Sequence, residues 1–104
     1  MVVDLAVDRS ILPEWNQWYD TVHLQEIVDC PGFRCGTRYI APASDQGAED
    51  TERHLTVYEL DGPEAFESET FRARRGLGGF DDHVTVRTRL FRRHISYERG
   101  PTEP

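Results

Sequence analysis

Not one lysine occurs in the 104 residues: all 12 basic side chains are arginine. A Schiff base on a lysine amine is therefore closed to this chain. Cysteine is almost as scarce, with Cys30 and Cys35 lying on either side of a Pro-Gly turn, so this is no disulfide-stapled scaffold. Neither a CxxC pair nor a Cys/His cluster with zinc spacing is present, and two ordinary thiols with no metal site are expected. No 18-residue apolar run exists, and the opening MVVDLAVDRS has acids where a signal peptide has basic residues. The expectation is a soluble, cytoplasmic protein with no membrane partner. A phosphate-cradling glycine motif, a Ser-His-Asp spacing and a dinucleotide fingerprint are also missing, so no cofactor is expected.

The net charge is −7, which argues against nucleic acid, because phosphate binding needs a basic surface. The charge is uneven. Residues 1–71 hold 15 acids against 4 arginines, whereas residues 72–99 hold 8 arginines against 3 acids. An anionic small molecule thus stays compatible with the C-terminal quarter. A chain of this length suggests one domain, with a core of its own but little room for an enclosed active site plus regulatory parts. Small enzymes of this size complete their cavities by dimerising.

Residues 2–7, with Val3, Leu5 and Val7 alternating, read as a first strand. Ser10 is placed to cap a following helix and Pro13 suits its first turn, giving a helix from about residue 12 to 29. Trp15, Trp18 or Tyr19, and Val22 fall three or four apart on its apolar face. Cys30-Pro31-Gly32 stops that helix. Phe33 to Ala41 read as a second strand, residues 43–52 as a mobile connection, and Arg53 to Leu60 as a third strand with His54, Thr56 and Tyr58 on one face. Asp61-Gly62-Pro63 opens a second helix, interrupted where Ser68 caps a short turn. Residues 75–83, RGLGGFDDH, make a glycine loop with hydrophobic content, either a lid or a plain connection. Val84 to about Tyr97 form a long last strand whose inward face switches near Leu90 and Phe91, a feature that calls for a bulge or for a partner subunit to cover it. The order is βαββαβ, with the domain spanning residues 1–98 and a disordered tail at 99–104.

The stretch W-N-Q-W-Y-D-T-V-H-L, followed by P-G-F and an Arg-Tyr pair, resembles the EthD-like family of the dimeric α+β barrel superfamily. The segment L-T-V-Y-E-L-D-G-P-E-A-F resembles it too, so the likeness covers most of residues 1–97. Many members carry proline two residues after the histidine, where Gln25 stands here. The resemblance implies a ferredoxin-like α+β fold, an antiparallel sheet and a homodimeric α+β barrel. Its members range from catabolic accessory proteins to enzymes of natural-product biosynthesis.

His23 is the sharpest candidate for chemistry, since imidazole exchanges a proton near neutral pH without extreme tuning. Asp20 is the expected orienting partner if both sit on one helical face. His54 and Tyr58 share a strand face, and Tyr39 and Arg38 lie on the neighbouring strand; together they offer donors to an enol or enolate oxygen. Trp15, Trp18, Tyr19, Phe66 and Phe80 are candidates to line a substrate pocket, with His83 as a lid residue, although core packing alone also accounts for most of the aromatics. These groups suggest a cofactor-independent acid–base enzyme for a small, largely apolar oxygenated substrate: a cyclisation, dehydration, isomerisation or decarboxylation of the polyketide or aromatic-catabolite kind. Two alternatives are a cofactor-free monooxygenase of quinone precursors, which the resemblance implies, and a non-catalytic protein binding a small ligand, for which the resemblance implies haem as one case.

Overall fold

A computed structural model describes residues 1–101. Four strands alternate with two helical segments: β1 (Val2–Asp8), a first helical stretch from Leu12 to Val28, β2 (Phe33–Ile40), β3 (Thr51–Leu60), a second helical stretch ending in Glu69–Arg74, and β4 (Val84–Arg89). The sheet is antiparallel throughout, in the order β2-β3-β1-β4, as expected for βαββαβ with a ferredoxin-like topology. The strand pleat sends Val3, Leu5 and Val7 of β1 and His54, Thr56 and Tyr58 of β3 to the same face, since Val3 pairs with Thr56 and Leu5 with His54. Both helical stretches cover that face.

Two apolar clusters fill the space between. One joins Ile27, Cys30, Phe33, Tyr58, Ala65 and Phe71; the other joins Leu5, Val7, Trp15, Tyr19 and Val84. Trp15 is fully buried, and truncating such a side chain costs about 3–5 kcal/mol. At the turn into β2, Gly32 takes φ +84°, and a Cβ there would lie 2.9 Å from the Cβ of Ala65. Glycine is needed at this position for both reasons.

The first helical stretch has three parts: α1 (Leu12–Trp18), a single π turn (Tyr19–His23) and α2 (Leu24–Val28). Trp15, Tyr19, His23 and Ile27, spaced by four throughout, are all buried. An ordinary helix of 3.6 residues per turn drifts about 40° at each such step. The wider π turn takes up the drift and keeps all four on the sheet side. Val22, expected inward, is therefore turned to solvent. Nor does Ser10 cap this helix. Asp8 instead accepts hydrogen bonds from the Ser10 N–H (3.0 Å) and hydroxyl (2.8 Å), closing a 3-10 turn ahead of α1.

The second helical stretch is a 3-10 turn (Pro63–Glu67) followed by α3 (Glu69–Arg74), split where Ser68 accepts the Phe71 N–H at 3.1 Å. Within residues 43–52 a 3-10 turn covers Ala43–Asp45, β3 starts at Thr51, and Gln46 is bonded to the backbone of both Ala41 and Arg53. The last strand is much shorter than the expected Val84–Tyr97. Pairing ends where Arg89 meets Val2, the first residue of β1, and among the described residues Leu90 has no strand partner. Ile95 and Tyr97 are 81% and 92% exposed. Of the expected tail, residues 99–101 are exposed and without regular structure, and 102–104 lie outside the described residues. Among the described residues no helix is long and apolar enough to cross a membrane, and no cluster of three or more metal-ligating side chains occurs.

Candidate active site

Between the helices and the sheet lies a cavity of about 550 Å³, within the range of small-molecule sites. Its walls are mostly apolar, built from residues such as Val3, Leu5, Ile27, Phe66, Phe71 and Leu77. An imidazole and two phenols converge on it, His23 and Tyr19 from the π turn and Tyr58 from β3, with Thr88 and Arg75 as further polar lining residues. The wide turn thus does more than correct the packing face. It puts the imidazole and a phenol on the cavity side together.

His23 is buried, its ring stacked on Trp18 with centroids 4.5 Å apart and edge-on to Tyr19 at 5.0 Å. Its Nδ1 lies 3.1 Å from Glu26 Oε1. An ionised carboxylate only accepts, so Nδ1 carries the proton and the lone pair sits on Nε2, which has no hydrogen-bond partner among the described residues. Burial pulls the His23 pKa below its ordinary value, and Glu26 works against that shift. Tyr58 and Tyr19 share a hydrogen bond, oxygen to oxygen 3.2 Å. Burial drives the Tyr58 phenol well above the ordinary tyrosine range, so it stays protonated and available as a donor.

Asp20, the expected partner of His23, points elsewhere. The π turn rotates it off the His23 face, and its carboxylate binds Arg38. Arg38 anchors a separate polar network behind the cavity: it donates to Asn16 Oδ1 (3.1 Å) and to His54 Nδ1 (2.7 Å), and covers the Tyr19 ring at 4.7 Å. His54 in turn donates from Nε2 to Glu52 at 2.6 Å, and Glu52 meets Arg9 at 3.3 Å. Because guanidinium never accepts, His54 Nδ1 must, which makes this ring neutral. Burial lowers its pKa, with Arg38 adding to the effect and Glu52 opposing it.

Of the residues singled out by sequence, Tyr19, His23, Tyr58 and Phe66 line the cavity. Trp18 backs His23, while Trp15 and Phe80 pack on each other edge to face, 5.5 Å apart, inside the core. His54, Arg38 and Asp20 form the network behind. Tyr39 does not join the site: it pairs with Leu55, and that parity turns it to the opposite sheet face, where it is exposed. His83 is exposed and 3.5 Å from Asp8. Sequence reasoning missed Glu26, whose i,i+3 spacing from His23 was the available signal, and Glu52, which lies two residues from His54 along an extended strand.

No protein-family model matches the sequence, and neither does any curated protein. Solved structures do match. HapK from Hahella chejuensis superposes with a TM-score of 0.53 at 14% identity, over 93% of this chain and 100% of that one. An ethyl tert-butyl ether d (EthD) family protein from Bacillus halodurans C-125 superposes with a TM-score of 0.52 at 15% identity, over 86% of this chain and 100% of that one. Identities this low carry the fold and not the activity. With its four-stranded antiparallel sheet and one helical layer, this chain has the ferredoxin-like α+β fold of the EthD-like proteins.

Proposed function

We propose that this protein is a cofactor-independent acid–base enzyme acting on a small, largely apolar oxygenated molecule, by cyclisation, dehydration, isomerisation or decarboxylation of the polyketide or aromatic-catabolite type. The observation that carries this reading is the convergence of one imidazole and two phenols on a mostly apolar cavity. His23 Nε2 takes a proton from carbon beside a carbonyl group. The electron pair moves onto the carbonyl oxygen, where the Tyr58 hydroxyl donates to the developing oxyanion. The imidazolium, held by Glu26, then returns the proton to another carbon or to a departing hydroxyl. Glu26 takes the orienting role first given to Asp20. The apolar walls lower the local dielectric, which strengthens each of these interactions.

The reading includes a homodimer. The sheet face away from the helices carries Ala6, Tyr39, Leu55 and Val57, and a second copy stacked sheet to sheet supplies the missing layer. The apolar walls also favour a second reading, a non-catalytic small-ligand carrier. Titrating wild type and His23→Ala with phenols, quinones, lactones and β-keto acids, and following product by mass, separates the two. Conversion by wild type alone supports the enzyme; binding to both without conversion supports the carrier. Full turnover by His23→Ala removes His23 from the mechanism, and oxygen uptake with substrate replaces this chemistry by that of a monooxygenase.

A further inference from the structure

Among the described residues Arg75 is the one ionised side chain lining the cavity, at the exposed rim beside Gly76 and Leu77; the Met1 ammonium, also in the lining, is already bound to the Tyr58 carbonyl at 2.9 Å. Among the described residues no carboxylate lines the cavity walls. Its backbone is held in place: the Arg75 N–H caps α3 by donating to the Phe71 carbonyl at 2.8 Å, and Phe71 is anchored in the core. The chain then leaves the helix in an extended conformation at Arg75, away from the path of Arg72 and Arg74.

Most arginines near structured parts of the chain are already committed. Arg9, Arg34, Arg38, Arg53, Arg89 and Arg93 each pair with an acid, and Arg74 donates to the Glu26 carbonyl at 2.8 Å. Among the described residues the Arg75 guanidinium makes no ion pair and no hydrogen bond. It is thus an unspent cation, on a fixed backbone, at the edge of an apolar cavity inside a protein of net charge −7. An unpaired guanidinium matches a carboxylate in shape and charge and binds it through two parallel N–H groups.

We infer that the substrate is an apolar carboxylic acid, its hydrophobic body in the cavity and its carboxylate on Arg75. This deepens the reading given above and rests on it. The carboxylate is then a handle at the rim, and the reacting carbonyl is a different group, directed toward Tyr58 and His23. A partly exposed guanidinium–carboxylate contact of this kind is worth about tenfold in affinity. The general negative charge of the chain opposes it only at long range, and physiological salt screens that opposition beyond roughly 8 Å.

Binding of naphthalene-2-acetate and its neutral methyl ester, measured by calorimetry at physiological salt on wild type, Arg75→Gln and Arg75→Lys, tests the inference. Wild type should prefer the acid by about tenfold, Arg75→Gln should lose the preference while holding the ester unchanged, and Arg75→Lys should keep part of it. Equal affinity of wild type for acid and ester overturns the carboxylate handle and leaves the cavity as a ligand site. An acid preference that survives Arg75→Gln overturns the role of Arg75. Failure of both probes to bind wild type overturns the cavity reading itself, and the inference with it.

Discussion

Trp18 lies almost face to face with His23, the two planes only 20° apart, while the backbone of Gly78 packs against the same indole so closely that a Cβ there would fall 2.5 Å from Cζ2. The glycine loop, the indole and the imidazole therefore form one mechanical unit. Gly78 also has φ +59°, a conformation that side chains rarely adopt. Gly78→Ala should push the indole, and His23 with it, out of register, lowering stability by about 1–3 kcal/mol. Urea unfolding together with a shift in tryptophan emission checks this, and an unchanged emission spectrum would sink the coupling.

The two buried histidines make stability depend on pH in a defined direction. Burial lowers both pKa values from the ordinary 6.5, against Glu26 at one ring and Glu52 at the other. Below 6.5 the unfolded chain takes up protons that the folded rings refuse. Their contribution is thus complete above that value and is lost as pH falls through the lowered folded values. The urea midpoint should drop from pH 7.5 to pH 5, and His23→Gln/His54→Gln should flatten that slope. An identical slope in the double variant would assign the effect to other groups.

Arg38 ties α1, the π turn and two strands together through Asn16, Asp20, Tyr19 and His54. Arg38→Met leaves the His54 Nδ1 lone pair buried without a donor and should cost about 3 kcal/mol. Arg38→Lys should recover less than half, since a compact ammonium cannot reach acceptors spread around a planar guanidinium or cover the ring as that plane does. Equilibrium unfolding gives both numbers; a loss under about 0.5 kcal/mol would mean that the network contributes little.

If the open sheet face is covered by a second copy, sedimentation of wild type should give twice the mass of one chain. Leu55→Arg places a charge in the middle of that face and should yield monomers that keep their circular dichroism. A monomeric wild type would end the dimer proposal.

The same tyrosine pair offers a finer test of the chemistry. Tyr58→Phe removes the oxyanion donor and leaves the Tyr19 hydroxyl without its partner at 3.2 Å. Turnover of the true substrate should fall by about 10²-fold for roughly 1 kcal/mol of stability, the mark of a donor that acts in the transition state. Unchanged turnover would leave Tyr58 with packing alone.

The sequence by itself determined the order of strands and helices, the turn at Cys30-Pro31-Gly32 and the inward parity of His54, Thr56 and Tyr58. Each of these follows from local rules: alternation along a strand, proline and glycine at a boundary, a serine cap at Ser68. It also held the clue to the buried helical face in the fourfold spacing of Trp15, Tyr19, His23 and Ile27, but a helix of constant pitch made Val22 look inward instead. Only the tertiary structure decided that a π turn absorbs the drift, that Glu26 rather than Asp20 meets His23, and that Asp20 is drawn to Arg38. The strand register decided that Tyr39 faces away, and the length of β1 decided where β4 stops. Those outcomes depend on which groups distant chain segments bring to one place, and a residue's neighbours across a sheet or cavity are written nowhere in its own stretch of chain.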